Sequence, residues 1–243
     1  MKRATAAALV TAAALAHALE PQPIAPFSAS LPGAGLPGGW KARGVGRAPR
    51  AEVALVLDGD VAVLQVRSDA AAGAAALALR ADTSSRPILA WRWKVDRVVQ
   101  GADLSRREGD DFAARVYVFF DIPVAALPIA DRIKFQVARL VYGEELPTAG
   151  ICYVWDNRHP VETSGWSPYT ARVRTVVVES GNARAGQWVQ ARRDLERDFR
   201  AAFGAQWAGP VPAVTGVVAG NDTDQTGESA TARFGDLRLE VRP

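Results

Sequence analysis

Apolar and polar residues alternate along much of the chain, which is the pattern of half-buried β-strands. The alternation and the β-branched runs predict strands at Val53–Leu57, Val61–Val66, Ala75–Arg80, Ile88–Val95, Phe112–Phe120, Ile151–Trp155, Val173–Glu179, Val214–Val218 and Ala230–Val241. The tripeptide Asp58-Gly59-Asp60 between the first two strands is a typical hairpin turn. Such a succession of short strands indicates a mainly β protein.

Two segments have the spacing of amphipathic helices instead. In the first, the apolar positions at helical spacing are Ile129, Ile133, Val137, Leu140 and Val141, with Pro128 just before them and Gly143 just after. The second runs from about Gln190 to Phe203, with an apolar stripe of Leu195, Phe199, Ala202 and Phe203. Many strands and few helices predict one antiparallel β-sandwich, jelly-roll-like, with two helices.

The N-terminal residues have the features of a secretory signal peptide. Met1-Lys2-Arg3 is cationic, an uncharged Ala/Leu-rich run follows, and Ala16-His17-Ala18 fits a cleavage site. We therefore expect residues 1–18 to be removed and the protein to be periplasmic or secreted. Residues 19–39 form a Pro/Gly-rich segment, and residues 40–243 are predicted to be one β-sandwich domain. No later run is long and apolar enough to predict a membrane anchor in the mature chain.

Composition excludes several classes of function. The chain has 29 Lys+Arg and 26 Asp+Glu, and the Arg residues are spread without a basic cluster, so no nucleic-acid partner is expected. With 1 Cys and 2 His, one of them in the signal peptide, the mature chain lacks the residues for an intramolecular disulfide or a His/Cys metal site. Cys152, in an apolar run, is predicted to be a buried inert thiol, and His159 a surface-loop residue.

The strand Phe112–Phe120 carries the best candidate for a ligand-facing surface. Alternation places Asp111, Arg115 and Tyr117 on one face, together with Ala113 and Phe119, and leaves Phe112 on the core face. An acid, a base and two aromatic rings on one face suit a polar ligand, although a cross-strand ion pair is an equal alternative for the charged residues.

Aromatic residues on other strands add to the candidate set. Tyr153 and Trp155 share one face of their strand and are included among the ligand-binding residues. Trp91 and Trp93 also share a face, but the apolar residues beside them favour core packing over a sugar-stacking platform.

The loop 221–228 raises the question of a metal. Its oxygen-bearing side chains at alternate positions are Asp222, Asp224, Thr226 and Glu228. That spacing with a Gly resembles a calcium loop but lacks the full EF-hand signature, and an Asx-rich turn explains it as well. The expectation is therefore no cofactor, with calcium as the one alternative.

Several motifs occur together in a fixed order. They are Trp91-Arg92-Trp93-Lys94-Val95, Gly109-Asp110-Asp111, Tyr153-Val154-Trp155-Asp156-Asn157, Pro168-Tyr169-Thr170, Asp198-Phe199-Arg200, Asp222-Thr223-Asp224-Gln225-Thr226-Gly227 and Phe234-Gly235-Asp236. From about Trp40 to Val241 the chain resembles the secreted bacterial proteins grouped as domain of unknown function 3047. The resemblance implies a β-rich exported domain and assigns no chemistry.

Three functions remain open on the sequence. The leading hypothesis is a binding module for a carbohydrate or similar polar ligand, with a polysaccharide or cell-envelope partner. The second is a glycan hydrolase that uses Asp111 with a second carboxylate, since two converging acids are needed for that chemistry. The candidates for that second acid are Asp156, Glu162, Asp222 and Asp224. The third is a structural protein of the envelope.

Overall fold

The computed structural model describes residues 20–127, 129, 132 and 147–242, which form two sheets packed face to face. The strands of the first sheet are β1 (Gln22–Ala25), β3 (Glu52–Asp58), β4 (Val61–Asp69), β6 (Ile88–Val95), β11 (Val189–Asp194), β13 (Ser229–Phe234) and β14 (Leu237–Glu240). Their order is β1-β14-β6-β13-β4-β3, and β11 pairs with the other edge of β6.

The second sheet carries the surface on which the candidate site is built. Its strands are β2 (Lys41–Gly44), β5 (Ala72–Ala81), β7 (Phe112–Phe120), β8 (Ala149–Asp156), β9 (Ser164–Ser167), β10 (Thr170–Ser180) and β12 (Val214–Asp222). Their order is β2-β5-β12-β7-β8-β10-β9.

One strand pair departs from the predicted antiparallel arrangement. β10 is parallel to β8. After β8 the chain forms β9 at the edge of the sheet, and β10 then lies between β8 and β9, antiparallel to β9. The prediction of a β-sandwich is confirmed, the second sheet is mixed rather than purely antiparallel, and the jelly-roll connectivity stays a prediction.

Large aromatic side chains fill the space between the sheets. Trp91 and Trp93 of β6 are fully buried, with ring centroids 5.5 Å from Tyr153 and 5.9 Å from Trp155 of β8, respectively. The core interpretation of the two β6 tryptophans is thus confirmed. Each sheet presents alternate residues to this core, so the remaining face of β7 and β8 is directed away from it.

The helix α1 spans Leu195–Phe203 and packs with Leu195, Phe199 and Phe203 buried, as its apolar stripe predicts. Its predicted start at Gln190 is wrong. Residues 189–194 are strand β11, which pairs with β6. The helix begins after Asp194, whose carboxylate accepts from the Arg197 backbone N–H at 3.1 Å.

One α-helix lies among the described residues, where the sequence predicts two. The other predicted helix, over residues 129–141, falls almost entirely outside the described part of the chain. Short 3₁₀ helices occur at Phe27–Ala29, Arg107–Gly109 and Val124–Ala126. No helix in the described part is long and apolar enough to cross a membrane.

The Pro/Gly-rich N-terminal segment contributes to the sandwich. Strand β1 pairs with β14, and Phe27 is fully buried with its ring 5.3 Å from that of Trp40. The Trp40 indole N–H donates to the Ile24 carbonyl at 3.2 Å. At the other terminus, the predicted strand Ala230–Val241 divides into β13 and β14 around Gly235.

Candidate functional site

A cleft of about 380 Å³ lies on the face of the second sheet that is directed away from the core. We call it the outer-face cleft. Its lining residues come from β7 and the residue Asp110 before it, from β9, β10 and the turn between them, from the end of β12 and the loop that follows, and from the loop after β2. They are Val45, Gly46, Arg47, Ala48, Asp110, Arg115, Tyr117, Ser167, Tyr169, Val173, Thr175, Asp222, Asp224 and Gln225. Its volume lies within the range of small-ligand sites.

Arg115 organises the polar wall of this cleft. Its guanidinium donates to both carboxylate oxygens of Asp222, at 2.7 Å in each case. It also donates to the Tyr117 hydroxyl at 2.9 Å, to the Asp110 carboxylate at 3.4 Å and to the Asp110 carbonyl. The guanidinium carbon lies 4.7 Å from the centroid of the Phe112 ring. With 5% of its surface exposed, Arg115 is a buried, multiply bonded ion, so its first task is structural.

A register shift in β7 changes the predicted faces. The pairing of β7 with β12 shifts between Gly220 and Asp222. Gly220 pairs with Arg115 and Asp222 pairs with Phe112, so β7 has one extra residue there. As a result, Phe112 leaves the core face on which alternation placed it and packs with Cys152 and Val154 on the outer face. The prediction for Phe112 is therefore wrong, because simple alternation assumes an unbroken ladder.

Asp111 lies behind the cleft rather than in its lining. It is fully buried, and its Oδ2 accepts from the Thr226 backbone N–H at 2.7 Å. One carboxylate oxygen each of Asp111, Asp222 and Asp224 lies within 4.8 Å of those of the other two. We call these three residues the carboxylate trio. Asp111 thus lies next to Asp222, the carboxylate that Arg115 binds.

Burial raises the proton affinity of several acids at this site. Burial raises the pKa of Asp222 to about 7, although Arg115 opposes the shift, and Asp111 adds to it. The pKa of Asp224 is also raised, by burial first and then by the charge of Asp111. The pKa of Asp110 is raised by burial, against the attraction of Arg115. Burial is therefore the largest cause of the raised pKa of each acid, and the charge of Arg115 does not cancel it.

The rest of the loop 221–228 has structural contacts. The Glu228 carboxylate accepts from the backbone N–H groups of Gly101 at 2.7 Å and Gln100 at 3.0 Å. Thr226 donates its N–H to Asp111, and its hydroxyl accepts from the Glu228 N–H at 3.4 Å. Of the three carboxylates that spacing predicts as metal ligands, Asp222 and Asp224 converge, whereas Glu228 does not join them. Residues 224–227 are folded as a turn rather than extended, so the alternate spacing does not continue to Glu228.

Tyr153 and Trp155, both predicted to bind ligand, lie in the core. Both are buried, and they contact Trp91 and Trp93 rather than the cleft. The Tyr153 hydroxyl donates to Asp198 of α1 at 2.9 Å, and the Trp155 indole donates to the Gly181 carbonyl at 3.0 Å. They do share a face, as predicted, but the sandwich closes over that face, so both are removed from the candidate site.

Two further acids considered as catalytic partners are held elsewhere. Asp156 is fully buried and accepts from the backbone N–H groups of Arg158 and His159, and its carboxylate also faces the His159 ring at 3.1 Å. Glu162 pairs with Arg193. Neither lines the outer-face cleft. Cys152 is buried as predicted, and burial raises the pKa of its thiol to about 12.

Sequence reasoning missed several residues that line the cleft. Tyr169, with 52% of its surface exposed, belongs to the β9–β10 turn, and Gln225 follows the end of β12. Arg47 comes from the loop after β2, and Asp110 precedes β7. Their common sequence signal is a polar or aromatic residue in a turn next to a strand end, and only tertiary pairing shows which turns meet.

The chain belongs to a family of proteins of unknown function, DUF3047, whose model matches residues 38–238. This confirms the resemblance found in the ordered motifs. A search of curated proteins finds no match.

Among solved structures, the chain is similar to the xyloglucanase domain of NopAA, a type three effector from Sinorhizobium fredii, in complex with cellobiose. That match has a TM-score of 0.46 and 10% identity, and it covers 84% of this chain and 93% of that one. A family 12 xyloglucanase from Bacillus licheniformis matches with a TM-score of 0.41 and 10% identity, and the match covers 84% of this chain and 100% of that one. An endoglucanase from Rhodothermus marinus matches with a TM-score of 0.40 and 12% identity, and the match covers 84% of this chain and 97% of that one. Similarity at this level carries no argument about activity.

Proposed function

We propose that this protein is a binding module for a carbohydrate or similar polar ligand, which occupies the outer-face cleft. The observation that carries the proposal is the position of Tyr169, a half-exposed aromatic ring in a cleft whose other lining groups include the carboxylates of Asp110 and Asp224 and the amide of Gln225. Sugars present apolar ring faces and many hydroxyl groups, so an aromatic ring beside hydrogen-bonding side chains matches both.

The polar groups of the cleft are held in place before a ligand arrives. Arg115 fixes Asp222, Asp110 and Tyr117 in one network. Tyr169 is held by its hydroxyl, which donates to the Arg107 carbonyl at 3.3 Å. Groups that are already ordered lose little entropy on binding, which favours affinity from a small number of contacts.

The test is a binding screen followed by a matched pair of variants. The mature protein is applied to a panel of neutral and acidic oligosaccharides, and positive hits are measured by calorimetry. Tyr169→Ala is expected to weaken binding by about tenfold or more, since aromatic truncations at binding sites cost more than about 1 kcal/mol. Trp188→Ala is the control, because Trp188 packs against Arg92 and Lys94 on the first sheet and does not line the cleft.

The same screen separates the two other candidate functions. Release of new reducing ends from a bound glycan would favour the hydrolase, and its acids would then come from Asp222 and Asp224, which line the cleft, rather than from buried Asp111. Equal loss of binding in Tyr169→Ala and Trp188→Ala would reject the cleft as the site. The absence of any binding across the panel would favour a structural protein of the envelope.

We further propose that the protein is exported to the periplasm or beyond. The support is the sequence of residues 1–18, with its cationic start and its Ala16-His17-Ala18 cleavage pattern. Intact-mass measurement of protein recovered from the periplasm should give a chain that begins at Leu19. A chain that retains Met1 would refute cleavage.

A further inference from the structure

We propose that the carboxylate trio of Asp111, Asp222 and Asp224 binds a divalent cation of the calcium type. One oxygen from each residue lies within 4.8 Å of the other two. Calcium–oxygen distances are about 2.3–2.6 Å, so two oxygens that share one ion are separated by no more than about 5 Å. The trio is therefore already spaced as part of a coordination sphere.

A separate observation points to a missing partner at the same place. Asp111 is fully buried, and its Oδ1 has no hydrogen-bond partner among the described residues. Its other oxygen is used by the Thr226 N–H. A buried carboxylate oxygen without a donor is costly, so the orphaned Oδ1 requires a partner that protein groups do not supply.

The local charge balance also calls for a cation. Arg115 pairs with Asp222 and Asp110, and in the described part of the chain no salt bridge reaches Asp111 or Asp224. Asp111 and Asp224 therefore add negative charge that no salt bridge of the described residues offsets, in a largely buried place. A divalent ion would offset that charge directly.

The fold fixes the positions of the three ligands before a cation binds. Asp222 ends strand β12, and its neighbour Thr223 is fully buried, with its N–H donating to the Ala71 carbonyl at 2.9 Å. The turn then closes through the Gly227 N–H, which donates to the Thr223 carbonyl at 3.0 Å, and Gly227 has the positive φ of 70° that this turn needs. Asp224 is thereby held between two anchored points.

The donor set selects the class of ion. All three ligands are carboxylate oxygens, with no imidazole or thiolate among them. Hard oxygen donors suit calcium, magnesium or manganese rather than zinc or copper. The half-buried ligands Asp222 and Asp224 line the cleft, so water completes the sphere on that side. Calcium tolerates such an irregular mixed sphere, whereas magnesium demands near-octahedral geometry.

The test needs no glycan, so it is independent of the proposed carbohydrate binding. Mature protein is stripped with a chelator and titrated with calcium alone by calorimetry, and its melting temperature is followed in parallel. At a hundredfold excess over the dissociation constant, calcium should raise the melting temperature by roughly 5–10 °C for a chain of this size. Magnesium at the same concentration should give a smaller shift.

Two isosteric variants and one control locate the ion. Asp224→Asn and Asp111→Asn should each weaken calcium binding by about tenfold or more, because affinity follows the ligand charge count. Glu228→Gln removes one charge from the same loop but lies outside the trio, so it should retain the affinity to within about threefold. Circular dichroism verifies that each variant is folded.

The outcomes are distinct. Coincident melting curves with calcium and with chelator, and no heat of binding, would overturn the proposal. Loss of binding in Glu228→Gln with retention in Asp224→Asn would also overturn it, by moving the ion to the other end of the loop. If Asp111→Asn fails to fold, the partly exposed Asp224→Asn still decides the matter.

Discussion

At the scale of single residues, Arg115 is predicted from the sequence to bind ligand, but in the structure it is a buried ion with a structural role. It satisfies Asp222, Asp110 and Tyr117 at once. Arg115→Ala would leave the buried Asp222 carboxylate without its partner, and breaking a buried pair in this way costs about 3–5 kcal/mol of unfolding free energy. Urea denaturation monitored by tryptophan fluorescence measures this loss.

The control for Arg115 is an exposed arginine on the same sheet. Arg43→Ala in strand β2 removes the same atoms from an exposed position and should change stability by no more than about 0.5 kcal/mol. Arg115→Lys keeps the charge but loses the bidentate contact with Asp222, so its loss of unfolding free energy should lie between those of Arg115→Ala and Arg43→Ala. A loss below about 1 kcal/mol for Arg115→Ala would contradict the structural role.

The same residue scale shows why the candidate site was only half predictable. Alternation places Arg115 and Tyr117 together correctly, because both lie beyond the register shift of β7. It fails for Phe112, because Ala113 and Ala114 carry no Gly or Pro signal that marks the bulge. Alternation also places Tyr153 and Trp155 on one face correctly. Whether that face is buried depends on the opposite sheet, however, and not on the sequence of the strand itself.

At the scale of elements, α1 is joined to the second sheet by a buried polar contact. The Tyr153 hydroxyl reaches Asp198, which Arg193 of β11 also contacts at 2.9 Å. Tyr153→Phe removes one hydrogen bond and leaves Asp198 with its arginine, so we expect a loss of about 1–2 kcal/mol. Tyr169→Phe is the matched control, since Tyr169 is a half-exposed residue and water can replace the bond of its hydroxyl. Equal melting temperatures for the two variants would contradict this role of Tyr153.

The elements that the sequence predicts best are those with strong internal patterns. Strands β6 and β7 have the predicted bounds, because long apolar alternation leaves little ambiguity. The β11–α1 boundary is missed because Val189–Asp194 is short and polar, and only pairing with β6 makes it a strand. Strand β9 is not predicted, because it is four residues long and lies at a sheet edge. A strand with few apolar contacts has no clear alternating pattern in its sequence.

At the scale of the whole molecule, the N-terminal segment after the proposed cleavage site is part of the fold. Residues 22–29 supply β1, which covers the edge of β14, and place Phe27 and Ile24 in the core. Ser28 also bonds through its N–H and hydroxyl to the Asp236 carboxylate, at 2.8 and 2.5 Å. A chain that begins at Leu31 loses all of these contacts, whereas a chain that begins at Leu19 keeps them.

We therefore expect the chain that begins at Leu31 to be less stable than the chain that begins at Leu19. Burial of Phe27 and Ile24 contributes about 1.5–3 kcal/mol each, so the loss should be about 3–6 kcal/mol. Denaturant unfolding of both chains measures it, and Leu31→Ala in the longer chain is the control, because Leu31 is 75% exposed. Equal stability would mean that β1 and Phe27 add nothing to the sandwich. A measured loss would instead show that the sandwich needs residues 22–29 to close the edge of β14 and to hold Trp40 in the core.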